Sequence, residues 1–291
     1  MLIHKGSFRG KRSVVVTPKC VLVFSSPPII LRIVEKYRDY YEKTFRRYVM
    51  KKLVVITGAS SGFGQEIAKI FNADGFPLLL LGRRLEKLTA LAETFDHAMV
   101  AEVDVTNQEQ FAAAIHKAEA QYGPTDLLVN NAGVMLLGNV QNQDPQEWQT
   151  MLDTNVMGIL NGTQIVLDGM RERQHGTILN MSSLAGKKTF VNHAAYVASK
   201  FGVHGLSETL REENAAQNVR IMLVAPGAAE TELLTHVTSD TALKDYEAWK
   251  ATMGGITLDP KHVAETVKFM YDMPQEVNIR EVDIAATKQD A

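Results

Sequence analysis

A serine, a tyrosine and a lysine stand at Ser183, Tyr196 and Lys200, with the hydroxyl thirteen positions before the phenol and the amine four positions after it. On a helix, residues four apart share a face, so the Lys200 ammonium can sit beside the phenol and favour the phenolate. A free tyrosine has a pKa of about 10 and is a poor base at neutral pH, which a neighbouring cation corrects. A serine hydroxyl arriving from a strand end would hold a substrate oxygen while that proton moves. The tyrosine-lysine spacing alone is not selective, since Tyr48 with Lys52 and Tyr246 with Lys250 repeat it. Thirteen residues before those two tyrosines lie Glu35 and Leu233, which carry no hydroxyl.

A second constellation lies upstream in LVVITGASSGFG, residues 53–64. An aliphatic run ends at Thr57, Gly58, Gly62 and Gly64 follow with Ser60, Ser61 and Phe63 among them, and a helical stretch opens. This reads as strand, tight turn and helix start, with glycines that let backbone approach a ligand and a helix N-terminus that favours a pyrophosphate. The spacing is G-x-x-x-G-x-G, a departure from the G-x-G-x-x-G of many dinucleotide sites. The next apolar run, FPLLLLGRR at 76–84, ends without the acidic residue that would bind an adenosine ribose diol. Arg83 and Arg84 stand there instead, and a guanidinium suits a 2′-phosphate, which predicts NADP rather than NAD. Arg83 is the preferred phosphate ligand of the two; the plainer reading has both decorating the start of the helix RRLEKLTALAETF.

With these residues in view the chain resembles the short-chain dehydrogenase/reductase family from about Met50 to its C-terminus. TGASSGFG resembles the family's TGxxxGxG, Asp104-Val105 the pair that contacts the adenine, and Asn130 to Gly133 the NNAG segment that includes Asn131 and Ala132. Asn155 matches the asparagine that holds a water on the active lysine, which with Ser183, Tyr196 and Lys200 makes the family's catalytic four. Pro226, Gly227, Ala229 and Thr231 fall in the PGxxxT segment that passes the nicotinamide, with Ala229 where a bulkier aliphatic is usual. Taken one at a time these residues have structural readings as well: Asp104 as a helix cap, the asparagines as turn formers. Asn155 inside a long helical pattern has only mediocre propensity for its place.

The elements that must position these groups alternate along the chain. Strand-like runs at 52–57, 78–82, 98–103, 126–130, 176–181, 218–224 and 279–284 are separated by amphipathic stretches. That predicts an α/β, doubly wound Rossmann-type domain with a seven-stranded parallel sheet flanked by helices. The motif residues sit at the carboxyl ends of the runs, where ligands bind on such sheets. Residues 50–291 are long enough for one domain with a substantial core.

Residues 1–49 do not fit that pattern. They hold eleven Lys and Arg against three acids, a charge of +8, which leaves −10 for the rest of a chain whose total is −2. A basic, acid-poor start suits a transit or membrane-surface segment, yet Pro18, Lys19, Pro27 and Pro28 interrupt it too often for a spanning helix. A misplaced start codon ahead of MKKLVVITG is the favoured reading, with the extension poorly ordered. The one cysteine, Cys20, lies in this extension, so disulfides are excluded and a reducing, cytoplasmic setting is expected. Eight histidines show no HExxH or comparable spacing, so no metal is expected, and an acidic domain argues against nucleic acid.

The resemblance implies an NADP(H)-dependent oxidoreductase that interconverts a carbonyl and an alcohol, with Tyr196 as proton donor or acceptor, Lys200 lowering its pKa and Ser183 on the substrate oxygen. The TLDPKHVAETV and PQEVNI stretches are similar to the NADP-dependent 3-hydroxy acid and serine dehydrogenase group, which suggests a small 3-hydroxy acid; a broad aldehyde and ketone reductase and a catalytically silent NADP-binding sensor are the alternatives. The chain ends without the D-G-G of acyl-carrier-protein reductases. His193, Lys187, Lys188 and the segment 228–255, with Leu233, Leu234, Tyr246, Trp249 and Met253, are candidates for the substrate side. Helical stretches near 145–171 and 194–216 are those that family members pair into homodimers and homotetramers.

Overall fold

The computed structural model describes residues 51–255 and 257–289, together with a short antiparallel pair, β1 (Val16–Thr17) and β2 (Cys20–Val21). The chain divides into two units, Met1–Met50 and Lys51–Ala291, and every candidate residue lies in the second. The expected disorder of 1–49 falls, those four residues apart, outside the described residues.

In the second unit the apolar runs become seven strands: β3 (Leu53–Thr57), β4 (Leu78–Gly82), β5 (Ala98–Glu102), β6 (Thr125–Asn130), β7 (Gly176–Met181), β8 (Val219–Pro226) and β9 (Glu281–Ile284). They form one sheet in the order β5-β4-β3-β6-β7-β8-β9, with every pairing parallel. The order reverses between β3 and β6, and that crevice is where open α/β sheets bind ligands. The ends differ from the sequence reading by a residue or two, most at β8, which runs on to Pro226.

Side chains alternate across the sheet with the period of two that strands impose. Val54, Ile56, Leu78, Leu80, Leu127 and Val129 face one side and pack on Phe71 of α1 (Gly62–Ala73) and Val267 of α8 (Pro260–Asp272). Leu53, Val55, Leu79, Leu81 and Leu128 face the other and pack on Phe111 and Ile115 of α3 (Gln108–Tyr122) and Val166 of α5 (Gly158–Glu172). Each fully buried side chain of this size stabilises the domain by about 1.5–3 kcal/mol. Two helices begin on an Asp-Pro pair: Asp144 caps α4 (Pro145–Leu152) and Asp259 caps α8, each carboxylate accepting a backbone N–H two residues on. Proline at the first helical position has no N–H to leave unsatisfied.

The long helical pattern that contains Asn155 is not one regular helix. A π-helical turn, Asp153–Met157, separates α4 from α5, and Asn155 sits in it. Such single turns add a residue to the ladder and occur chiefly at functional sites. The remaining helices are α2 (Leu85–Ala92), α6 (Ala194–Asn214) and α7 (Asp240–Thr252). A buried polar relay holds α6 to the sheet: Asn130 Nδ2 donates to Asn180 Oδ1 at 3.0 Å, and Asn180 Nδ2 to Ser207 Oγ at 2.9 Å.

Candidate active site

The glycine loop takes its shape from β6. Thr57 Oγ1 accepts the backbone N–H groups of Asn131 and Ala132, both at 2.9 Å, while Asn131 Nδ2 donates to the carbonyls of Thr57 (2.9 Å) and Gly58 (3.2 Å). Gly58 has φ +64°, and a Cβ on Gly64 would lie 2.5 Å from the Gly58 carbonyl oxygen. Only glycine fits either position. At the start of α1 the N-cap residue Ser61 makes no side-chain cap and the first turn carries no acid, so its N–H groups and the positive end of the dipole remain for an anion. Asp104 does not cap the helix after β5: its Oδ1 accepts from Thr106, and Asn107 is the cap of α3.

Beside the loop, Arg84 donates from Nη2 to Ser60 Oγ (2.9 Å) and Ser61 Oγ (2.7 Å). Its Nη1 pairs with Glu232 at 2.5 Å, and Lys87 pairs with the same carboxylate at 2.7 Å. Lys87 and Arg84 together hold the Glu232 carboxyl down at about 2. The sequence ranks Arg83 above Arg84 as the phosphate ligand; in the structure both line the crevice, and it is Arg84 that is bonded to the loop serines. Open helix end, glycine cradle and arginine pair fit a dinucleotide.

Tyr196 and Lys200 lie in the first two turns of α6, and the Lys200 Nζ is 5.8 Å from the centre of the Tyr196 ring. Burial pushes the phenol up to about 12, opposed by its hydrogen bond with Ser183; burial brings the lysine down to about 8. Lys200 is expected from the sequence to lower the pKa of the phenol; burial is the larger influence on both groups here, because desolvation works against each charged form. Ser183 sits just past β7 and accepts the Ala185 N–H, while Lys200 Nζ donates to the Met181 carbonyl at 2.9 Å. Asn155 is fully buried: it exchanges two hydrogen bonds with the Val134 backbone (2.8 and 2.9 Å) and donates to Ser199 Oγ (3.0 Å). Its side chain thus ties the segment after β6 to α6, one residue from Lys200.

Most of these groups line one cavity of about 710 Å³. Of the residues singled out in the sequence as catalytic or cofactor-binding, all but Gly64 and Asn155 line it, these two lying just behind the wall. His193, Leu233, Leu234, Tyr246 and Trp249 also line it, whereas Met253 is buried elsewhere and Lys187 is engaged by Asp283 and Glu281. The sequence missed Glu232, Met135, Phe190 and Gln289, whose Oε1 accepts the Ala228 N–H at 2.9 Å. It also treated Thr57 only as a strand end; a hydroxyl immediately before the first loop glycine was the available signal. Among the described residues no cluster of three or more His, Cys, Asp or Glu could hold a metal, and no helix is long and apolar enough to cross a membrane.

The short chain dehydrogenase family model matches residues 52–242. An uncharacterized oxidoreductase of Staphylococcus saprophyticus is 34% identical over 246 residues, covering 83% of this chain and 98% of that protein. One of Listeria monocytogenes is 33% identical over 247 residues, covering 83% and 98%. Among solved structures, the closed form of a serine dehydrogenase complexed with NADP+ superposes with a TM-score of 0.76 at 32% identity, covering 82% of this chain and 96% of that one. Sheet order, loop, cavity and likeness agree, and the chain belongs to the short-chain dehydrogenase family.

Proposed function

We propose that the protein is an NADP(H)-dependent oxidoreductase that interconverts a carbonyl and an alcohol, with Ser183, Tyr196 and Lys200 as its catalytic residues. The observation that carries this reading is the convergence of those three side chains and the arginine-flanked glycine loop on one cavity. When bound, the nicotinamide supplies or takes up the hydride. Ser183, already hydrogen-bonded to the phenol, holds the substrate oxygen beside Tyr196. Tyr196 is protonated at neutral pH, and so is ready to donate a proton to an oxygen that gains charge in reduction. Lys200, a cation below about 8, stabilises the phenolate that remains, and Asn155 fixes the helix turn that carries it. NADP rather than NAD is supported by Arg83 and Arg84, which line the cavity beside the glycine loop and offer guanidinium groups suited to a 2′-phosphate.

A screen of NADPH oxidation over aldehydes, ketones and 3-oxo acids, beside NADH and beside the reverse reactions, tests this. Turnover with NADPH is the expected result; NADPH binding without any turnover would leave the sensor reading in its place. The likeness to serine dehydrogenase supports small 3-hydroxy acids as a second reading of the substrate. A homodimer or homotetramer is supported by Leu152, Met157, Leu160 and Phe201, which are 37–47% exposed on α4 to α6, and solution mass would check it.

Two further results are expected. Reduction needs Tyr196 protonated and Lys200 charged, and the lysine is the first of the two to lose its proton as pH rises. The kcat/KM for NADPH-dependent reduction is therefore level at neutral pH and falls as pH rises through about 8; a rise across that range would contradict the assignment. Glu232→Gln releases Arg84 and Lys87 from an exposed ion pair. NADPH should then bind about twofold to fivefold more tightly by fluorescence titration, the modest gain typical of exposed charges.

A further inference from the structure

The cavity has two chemically different ends. At the nucleotide end the charged lining groups are Arg83 and Arg84 with Asp104 and Glu232. Beyond Tyr196 the wall is a continuous set of rings. His193 lies 6.2 Å from Tyr196 and from Tyr246, Tyr246 5.4 Å from Trp249, and Phe190 5.7 Å from Trp249, ring centre to ring centre. Met135, Leu233 and Leu234 line the same region.

The charges at this end have the wrong sign for an acid substrate. Among the described residues the one carboxylate that lines it is Asp245, which accepts from Asn192 at 3.0 Å. Burial holds His193 below its usual range, so it is a neutral ring at physiological pH. Lys187 is engaged by Asp283 and Glu281 on the β9 side, and neither it nor Lys188, whose Nζ lies 5.9 Å over the Phe190 ring, lines the cavity. Among the described lining residues the only cation near the reacting oxygen is Lys200, which is spent on the phenolate. A carboxylate desolvated here would have no dedicated partner, whereas a flat apolar group would meet edges and faces of four rings.

We propose that the substrate is a neutral carbonyl compound, or the matching alcohol, whose carbonyl carbon carries an aryl or similarly flat apolar group seated against Phe190, Tyr246 and Trp249. This rests on the reading of the cavity as the site of an NADP-dependent reaction and names what that site takes. It departs from the small 3-hydroxy acid suggested by the serine dehydrogenase likeness.

The test uses the purified full chain with NADPH and three probes: benzaldehyde, propanal and acetoacetate. In parallel, benzyl alcohol is titrated against the protein by calorimetry with and without NADP. The expected result is a kcat/KM for benzaldehyde at least about tenfold above that for propanal and for acetoacetate, the discrimination an apolar pocket gives for added apolar bulk. Trp249→Ala and, separately, Tyr246→Leu should each shrink the benzaldehyde-to-propanal ratio, so a poorly folding variant does not decide the matter. Acetoacetate as the best substrate, or an unchanged ratio in both variants, overturns the inference while leaving the reaction reading intact. Saturable binding of benzyl alcohol with no turnover of any probe would support the ligand class and overturn the reaction reading. No binding and no turnover would overturn both.

Discussion

Tyr196→Phe should lower NADPH-dependent turnover by about a hundredfold to ten-thousandfold, the range a positioned proton donor contributes. The ring stays, so its packing among Val134, Met135, Leu137 and Ala185 and its contact with His193 are kept. What is lost is one hydroxyl, and with it the hydrogen bond to Ser183 and the proton for the substrate oxygen. NADPH affinity should hold, because the glycine loop, Asn131 and the arginines are untouched. Steady-state rates beside a fluorescence titration separate the two quantities. Turnover within a few fold of the parent, or equal loss of rate and binding, would remove the phenol from the role assigned to it.

Arg84→Ala should weaken NADPH binding by about tenfold to 150-fold, the equivalent of one hydrogen bond to a charged group. The loss falls toward the smaller figure because the guanidinium is engaged with Glu232 and must exchange that partner for the phosphate. NADH, which lacks the phosphate, should bind almost as before, so the ratio of the two dissociation constants is the decisive measurement. Equal losses for both nucleotides would mean that Arg84 acts by holding Ser60 and Ser61, and no loss would move the phosphate to Arg83.

Much of the fold was legible because parallel strands covered on both faces are written as unbroken aliphatic runs. LVVIT and LLLLG could hardly be anything else; the first stops one residue short of Gly58 and the second ends in Gly82, both of which line the cavity. The constellation of Ser183, Tyr196 and Lys200 was legible because two of its members share one helix and the third closes a strand. Properties created by distant chain were not. Glu232 meets Arg84 from 148 positions away, and no local pattern announces it. The raised phenol is a consequence of burial, which a spacing rule does not contain. The π-helical turn at Asn155 hides in a helical pattern, because one extra residue shifts the apolar face too little to be noticed over two dozen positions. Ring contacts among Phe190, His193, Tyr246 and Trp249 depend on two segments folding over each other.

The mutual grip of Thr57 and Asn131 spans 74 positions of chain, and the partners sit at the carboxyl ends of the neighbouring strands β3 and β6. A polypeptide emerging during synthesis therefore has every residue of its glycine loop long before it has the strand that shapes it. Truncations ending ahead of residue 125 should not retain nucleotide, however well their first strands pair, whereas occupancy by nucleotide in a longer species certifies that the middle of the sheet has closed.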